Sequence, residues 1–189
     1  EFGFLYHTGY VSWLFGLEII KPSKIRGEAS TGGTAAYNYT SDISAYTPKV
    51  GLEVVFHETA QFRLAASFSV GTGNINTKTD YSSLTIAPNT NFSIEGKGTA
   101  NMMSYTFGGE WFWTDNTTVL LTAGYRQLNF KKIEYLNDVA SSFDGAAHTK
   151  GSRIVKADGS NLGYDFTNYY LSVGLRFWPQ YKGRDGERT

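Results

Sequence analysis

Residues 169–178 read YYLSVGLRFW, and this short stretch poses the question that decides the fold. Tyr169, Leu171, Val173, Leu175 and Phe177 are apolar at every second position, while Tyr170, Ser172, Gly174 and Arg176 lie between them. A period of two is the signature of a β-strand with two unlike faces. Its environment must accept a continuous apolar stripe on one side and an isolated arginine on the other.

The same alternation recurs along the chain. Val11, Trp13, Phe15, Leu17 and Ile19 oppose Tyr10, Ser12, Gly16 and Glu18, with Leu14 the one apolar exception. Val50, Leu52, Val54 and Phe56 lead through HETAQ (57–61) to Phe62, Leu64, Ala66, Phe68 and Val70, which predicts a hairpin with a short turn. A second hairpin runs from Met103, Tyr105, Phe107, Trp111 and Trp113 through TDNT (114–117) to Val119, Leu121, Ala123 and Tyr125. Beyond Tyr125 the phase slips, because Leu128 and Phe130 share parity with Arg126, and this predicts a bulge or a departure from the apolar environment.

Six strands are located this way, and EFGFLY (1–6) is a candidate seventh. Polar segments near 21–42, 72–100 and 135–162 are expected as long loops, so short turns and long loops alternate. Within the second, SSLTIAPNTNFSIEG (82–96) is a candidate small hairpin turning at PNTN (88–91). No stretch of about 18 apolar residues occurs, as a spanning helix would need.

Composition bounds the remaining classes. The 189 residues carry 17 basic and 17 acidic side chains, no Cys, 16% aromatic residues and 21 Gly. Balanced charge supplies no basic footprint for nucleic acid. The lack of Cys excludes a disulfide framework and a thiolate metal site. EFGFLYHTG (1–9) has no basic region followed by a long apolar core, so a secretory signal is expected to be absent or already removed.

Alternation alone does not say which face is buried. The polar faces are rich in Gly, Ser and Thr with single charges, which suits a narrow interior better than a water-facing surface. Aromatic residues sort by level. Trp13, Trp111, Trp113 and Trp178 fall toward the short-turn or terminal side, and Tyr46, Tyr105, Tyr125, Tyr164 and Tyr169 toward the long-loop side. Two such girdles are expected where an apolar band meets water twice.

Short turns, long loops, paired girdles and a terminal YYLSVGLRFW ending in aromatics resemble the small bacterial outer-membrane β-barrels, the family that includes the transmembrane domain of outer membrane protein A. The resemblance is one of pattern over residues 9–178. It implies an all-β, antiparallel up-and-down transmembrane barrel of about eight strands over residues 1–178, followed by a polar tail at 179–189. It further implies localisation in the bacterial outer membrane, turns toward the periplasm, loops outside the cell, and an assembly signal near the C-terminus.

With the apolar face outward, the inner face carries Glu18, Lys49, Glu53, Arg63, Glu110, Arg126 and Arg176. Counting from the short turns places Glu53, Arg63, Glu110 and Arg176 low and Glu18, Lys49 and Arg126 about one layer higher. Unpaired charges in so narrow a space would cost several kcal/mol each, so a salt-bridged plug is expected. Ala66, Gly109 and Ala123 each lie five residues from a short turn on the outer face, with Gly109 and Ala123 expected as cross-strand partners. They form a candidate notch for lateral self-association.

Chemistry is sparse. His7, His57 and His148 have no evident catalytic partner, and each is expected as a solvated loop residue. KADGSNLGYD (156–165) offers Asp158, Asn161 and Asp165 without the spacing of a calcium loop. GTGNIN (71–76) lacks the strand-to-helix context of a phosphate loop. No catalytic residue, metal or cofactor is assigned. The leading expectation is a non-enzymatic barrel in membrane lipid with a structural or surface-interaction role. A narrow pore for small solutes and a soluble lipocalin-like barrel holding an apolar ligand remain the alternatives.

Overall fold

A computed structural model describes residues 2–8, 10–31, 34–84, 91–114, 116–140, 146–156 and 159–178. Ten strands form the described structure: β1 (Phe2–His7), β2 (Val11–Ile20), β3 (Ile25–Thr31), β4 (Thr34–Glu58), β5 (Phe62–Ser83), β6 (Phe92–Thr114), β7 (Thr117–Phe130), β8 (Glu134–Tyr135), β9 (Tyr164–Asp165) and β10 (Asn168–Phe177). The main path is β1-β2-β4-β5-β6-β7-β10, antiparallel throughout, with β3 on β4, β8 on β6 and β9 on β7. EFGFLY thus supplies part of a seventh main-path strand.

The sheet curls but does not close. Arg126 on β7 reaches Glu18 on β2, and Arg176 on β10 reaches Glu53 on β4, so strands far apart in the order face one another across an interior. Among the described residues no pairing joins β1 to β10, and the expected closed barrel is corrected to an open, curled sheet. Short connections after β1, β4 and β6 define a lower end, where β10 also finishes.

Two of the three expected long loops are largely strand. β4, β5 and β6 run for 25, 22 and 23 residues, and together with β3 they carry paired backbone through most of 21–42 and 72–100. The PNTN turn falls mostly on residues outside those described. The described residues of 135–162 follow an irregular path, tied down by isolated bridges such as Val139 to His148. Loop-like composition misled here because a strand surrounded by water carries Ser, Thr, Asn and Lys on its outer face.

On β5 the outward residues are Phe62, Leu64, Ala66, Phe68 and Val70, then Thr72, Asn74, Asn76, Lys78, Asp80 and Ser82. Its inward residues run the opposite way, from Arg63, Ser67 and Ser69 to Ile75 and Tyr81. β6 inverts likewise, with Trp111, Phe107, Tyr105 and Met103 outside giving way to Asn101, Thr99 and Lys97, and inward Glu110 and Ser104 giving way to Met102 and Ile94. On β7 the switch falls between Tyr125 and Gln127 outside and between Arg126 and Leu128 inside. The pleat is unbroken there, since β7 stays in register with β6 from Gln127 to Thr118. The slip beyond Tyr125 is therefore no bulge but an exchange of which face carries the apolar residues.

Above that boundary the interior is an apolar core of Ile43, Ala45, Ile75, Ile94, Met102, Leu128, Phe130, Ile133, Tyr135 and Ile154. Gly73 is needed beside it, because a Cβ there would lie 2.6 Å from Leu128 Cδ1. Below the boundary the interior is polar and the outside apolar.

Candidate ionic centre of the sheet interior

Inward positions of β2, β4, β5, β6, β7 and β10 bring together all seven charged residues singled out in the sequence, in two groups. The lower group is neutral: Glu53 and Glu110 with Arg63 and Arg176. Arg63 Nη2 donates to Glu53 Oε1 at 3.0 Å, and Arg63 Nη1 lies 3.6 Å from Glu110 Oε2. Arg176 binds both carboxylates, through Nη2 to Glu53 Oε2 at 2.9 Å and through Nη1 to Glu110 Oε2 at 2.7 Å. Thr118 Oγ1 donates to Glu110 Oε1. Each arginine thus bridges both glutamates, and the planar guanidinium suits this because its donors leave in fixed, divergent directions.

Trp178 closes this group from below. It is 9% exposed, its Nε1 donates to Glu110 Oε1 at 3.1 Å, and its ring lies 5.3 Å from Arg63 Cζ and 5.5 Å from Arg176 Cζ. Two cations on one indole are stabilised by its electron-rich face, most strongly when desolvated. The expectation that Trp178 joins an outer aromatic girdle is corrected. Following Phe177, it falls on the inward parity of β10, the same parity as Arg176.

The upper group shares one acid between two bases. Glu18 Oε1 accepts from Arg126 Nη1, and Glu18 Oε2 lies 3.6 Å from Lys49 Nζ. Arg126 also donates through Nε to the Phe166 carbonyl at 3.1 Å and through Nη2 to Asn168 Oδ1 at 2.9 Å. Hydroxyl pairs line the wall nearby, among them Ser67 with Thr106, Ser69 with Ser104 at 2.7 Å and Thr122 with Ser172 at 2.6 Å. The interior is consequently layered from bottom to top: an indole, a four-member ion cluster, a three-member cluster with hydroxyls, and the apolar core.

Trp13, Trp111, Trp113, Tyr46, Tyr105 and Tyr169 lie exposed on the outer face, with Tyr125 partly covered against Tyr169. Tyr164 instead packs against the upper core. There burial pushes its hydroxyl above the usual range and pushes that of Tyr81 up to about 12. His57 is exposed, whereas His148 stacks on Tyr135 at 4.8 Å and is corrected from a purely solvated residue. The side chain of His7 and all of Asp158 lie outside the described residues. Hydrogen bonds from the Thr167 side chain and from the Thr167 amide to Asp165 Oδ1 hold the Asp165 carboxyl below the usual range.

The notch is corrected in register. Gly109 pairs with Leu121, while Ala123 pairs with Phe107, which also faces Ala66. The space over Gly109 is taken by Phe62, whose ring would lie 2.8 Å from an added Cβ and which packs edge-on against Trp111. A register irregularity between Phe112 and Thr114 accounts for one residue of this two-residue displacement.

The role of Trp178 was the feature missed in the sequence, although its position two residues after Arg176 carried the signal. Comparison with protein-family models, with curated proteins and with solved structures finds no match to this chain.

Proposed function

We propose that this chain is a membrane-spanning β-structure of a bacterial outer membrane, with a plugged interior and a structural or surface-interaction role. The observation that carries the reading is the inversion of polarity along single unbroken strands. On β4 the outward residues are Tyr46, Pro48, Val50, Leu52, Val54 and Phe56 below the boundary and Thr40, Asp42 and Ser44 above it. A strand in one solvent has no physical reason to exchange its faces midway. A strand passing from hydrocarbon into water has one, because the outer face must match each solvent in turn while the interior compensates.

Dimensions agree with this. Tyr46 to Phe56 spans ten residue steps, which at a tilt near 40° rises roughly 25 Å, the height of the apolar band of such barrels. The upper reach of β5, Thr72–Ser83, then projects roughly 30 Å beyond it. Exposed Trp111 and Trp113 low on the belt and Tyr46 and Tyr105 high on it sit where interfacial rings are favoured.

The layered interior favours a closed path over a pore, since indole, ion clusters and apolar core occupy successive levels. A surface role follows from the rigid, polar-faced extension above the belt. The test is depth-resolved quenching in bilayers. Trp13, Trp111 and Trp113 are expected to be quenched by brominated acyl chains. A chain that stays monomeric and soluble without amphiphile, with these indoles unquenched, overturns the reading.

A further inference from the structure

Above the belt the outer wall of β5 and β6 changes character twice. Val70 faces Met103 at its upper edge, and three outward cross-strand pairs follow: Thr72 with Asn101, Asn74 with Thr99, and Asn76 with Lys97. The first two rows carry only amides and hydroxyls. Cations begin at the third.

Lys97 pairs across with Glu134 on β8, and Glu134 bridges in turn to Arg153. Gly96, Tyr135 and Ile154, each next to one of these in sequence, turn toward the upper core, so Lys97, Glu134 and Arg153 face outward. Lys132 Nζ lies 2.5 Å from Glu134 Oε1, while Lys97 and Arg153, both exposed, act on the same carboxylate from further off. The hydrogen bond from Lys132, and then the charges of Lys132, Lys97 and Arg153, hold the Glu134 carboxyl below the usual range. Three cations against one carboxylate leave this cluster with a net charge of +2 among the described residues. Glu95, one outward position higher on β6, is already engaged by Lys78 at 3.8 Å and by Asn137 Nδ2 at 2.8 Å.

Height decides which anion fits. Lys97 stands six residues above Met103, the last apolar outward position of β6, which at a tilt near 40° is roughly 15 Å beyond the hydrocarbon edge. The head-group layer of a bilayer is roughly 5–8 Å deep on each side, so the phosphate of an ordinary phospholipid falls short. A head group with sugar rings between its acyl chains and its phosphate spans the gap. Uncharged donors and acceptors on the two intervening rows match sugar hydroxyls, and guanidinium and ammonium groups match phosphate.

We propose that the outer wall of β5 and β6, headed by Lys97, Lys132 and Arg153, docks a lipid of the same leaflet whose phosphate is carried on a sugar stem. The wall then follows the order of that lipid, with apolar Met103 at the acyl chains, neutral Asn74 and Thr99 at the sugar, and Lys97 and Arg153 at the phosphate. This names a partner for the surface role and rests on the membrane reading.

Native mass spectrometry of the whole chain in detergent micelles tests this, with lipopolysaccharide truncated at its phosphorylated inner sugars as the probe. The parent is expected to retain it at least tenfold more tightly than the double variant Lys97→Glu with Arg153→Glu, and the gap is expected to narrow in concentrated salt. Lys97→Gln with Arg153→Gln is expected to fall between the two. Phosphatidylglycerol, which has phosphate without a sugar stem, and the same lipopolysaccharide stripped of phosphate are expected to bind parent and variants alike. Equal retention of the phosphorylated probe by parent and both variants overturns the proposal. So does an equal loss of phosphatidylglycerol, or displacement of the probe by inorganic phosphate, which would make the cluster a site for the free anion. Indole quenching by brominated lipid is expected to be unchanged in both variants and judges the membrane reading separately.

Discussion

Arg176 and Glu53 stand 123 residues apart in the chain and face each other across the interior through two hydrogen bonds, at 2.9 and 3.2 Å. The pair links the last strand to the middle of the sheet, and both side chains are largely buried. Removing one partner of such a pair strands the other, which costs more than the pair itself contributes.

Arg176→Leu is therefore expected to lower stability by about 3 kcal/mol, with Glu53 and Glu110 left to share Arg63 alone. Urea unfolding in detergent micelles measures this. Ion conductance in planar bilayers is expected to stay near that of the parent, because Trp178 and the apolar core still occupy other levels. A large rise in conductance would show that the cluster itself is the barrier.

Trp178 is expected to behave unlike the other three tryptophans. In variants retaining one indole each, Trp111 and Trp113 are expected to be quenched strongly by brominated lipid and Trp178 hardly at all. Trp178→Leu is expected to cost about 2 kcal/mol through loss of the cation–π contacts and of the donor to Glu110. Equal quenching at all four positions would place Trp178 outside.

The polarity boundary predicts opposite tolerance at two outward positions. Leu52→Arg places a charge in the middle of the belt and is expected to cost about 2–4 kcal/mol of folding stability in bilayers. Asn76→Arg, outward on β5 above the boundary, is expected to change stability by less than about 0.5 kcal/mol. Refolding titrations in lipid vesicles give both values, and similar costs at the two sites would remove the boundary.

The upper core carries an alkaline sensitivity. Burial raises the Tyr81 hydroxyl from the ordinary 10.0 to about 12, so between those values the folded chain binds a proton that the unfolded chain has lost. The contribution is complete below pH 10 and is lost as pH rises toward 12. Protection of the β5–β6 extension against proteolysis is expected to fall across that window and to become flatter in Tyr81→Phe. An unchanged pH profile in the variant would remove Tyr81 as the cause.

Much of the ionic centre was legible residue by residue, because strand parity is a local property. Inward Glu53 and Arg63 share parity across the short turn between β4 and β5, and Glu110 follows from the alternation of its own strand. Levels along the strands were harder. The irregularity between Phe112 and Thr114 contributed one of the two residues by which Gly109 misses Ala123, and a register shift of this kind leaves no mark in composition.

Local spacing was enough to give the alternation of β2, β4 to β7 and β10 and to put all seven charges on one face, because a period of two needs only the pleat. It also flagged the change beyond Tyr125. Tertiary structure alone decided that Ser- and Thr-rich segments continue as strands, that Trp178 turns inward beneath two arginines, and that β1 and β10 remain unjoined. These depend on which distant strands meet and on which solvent surrounds each level, and neither is encoded in the spacing of neighbours along the chain.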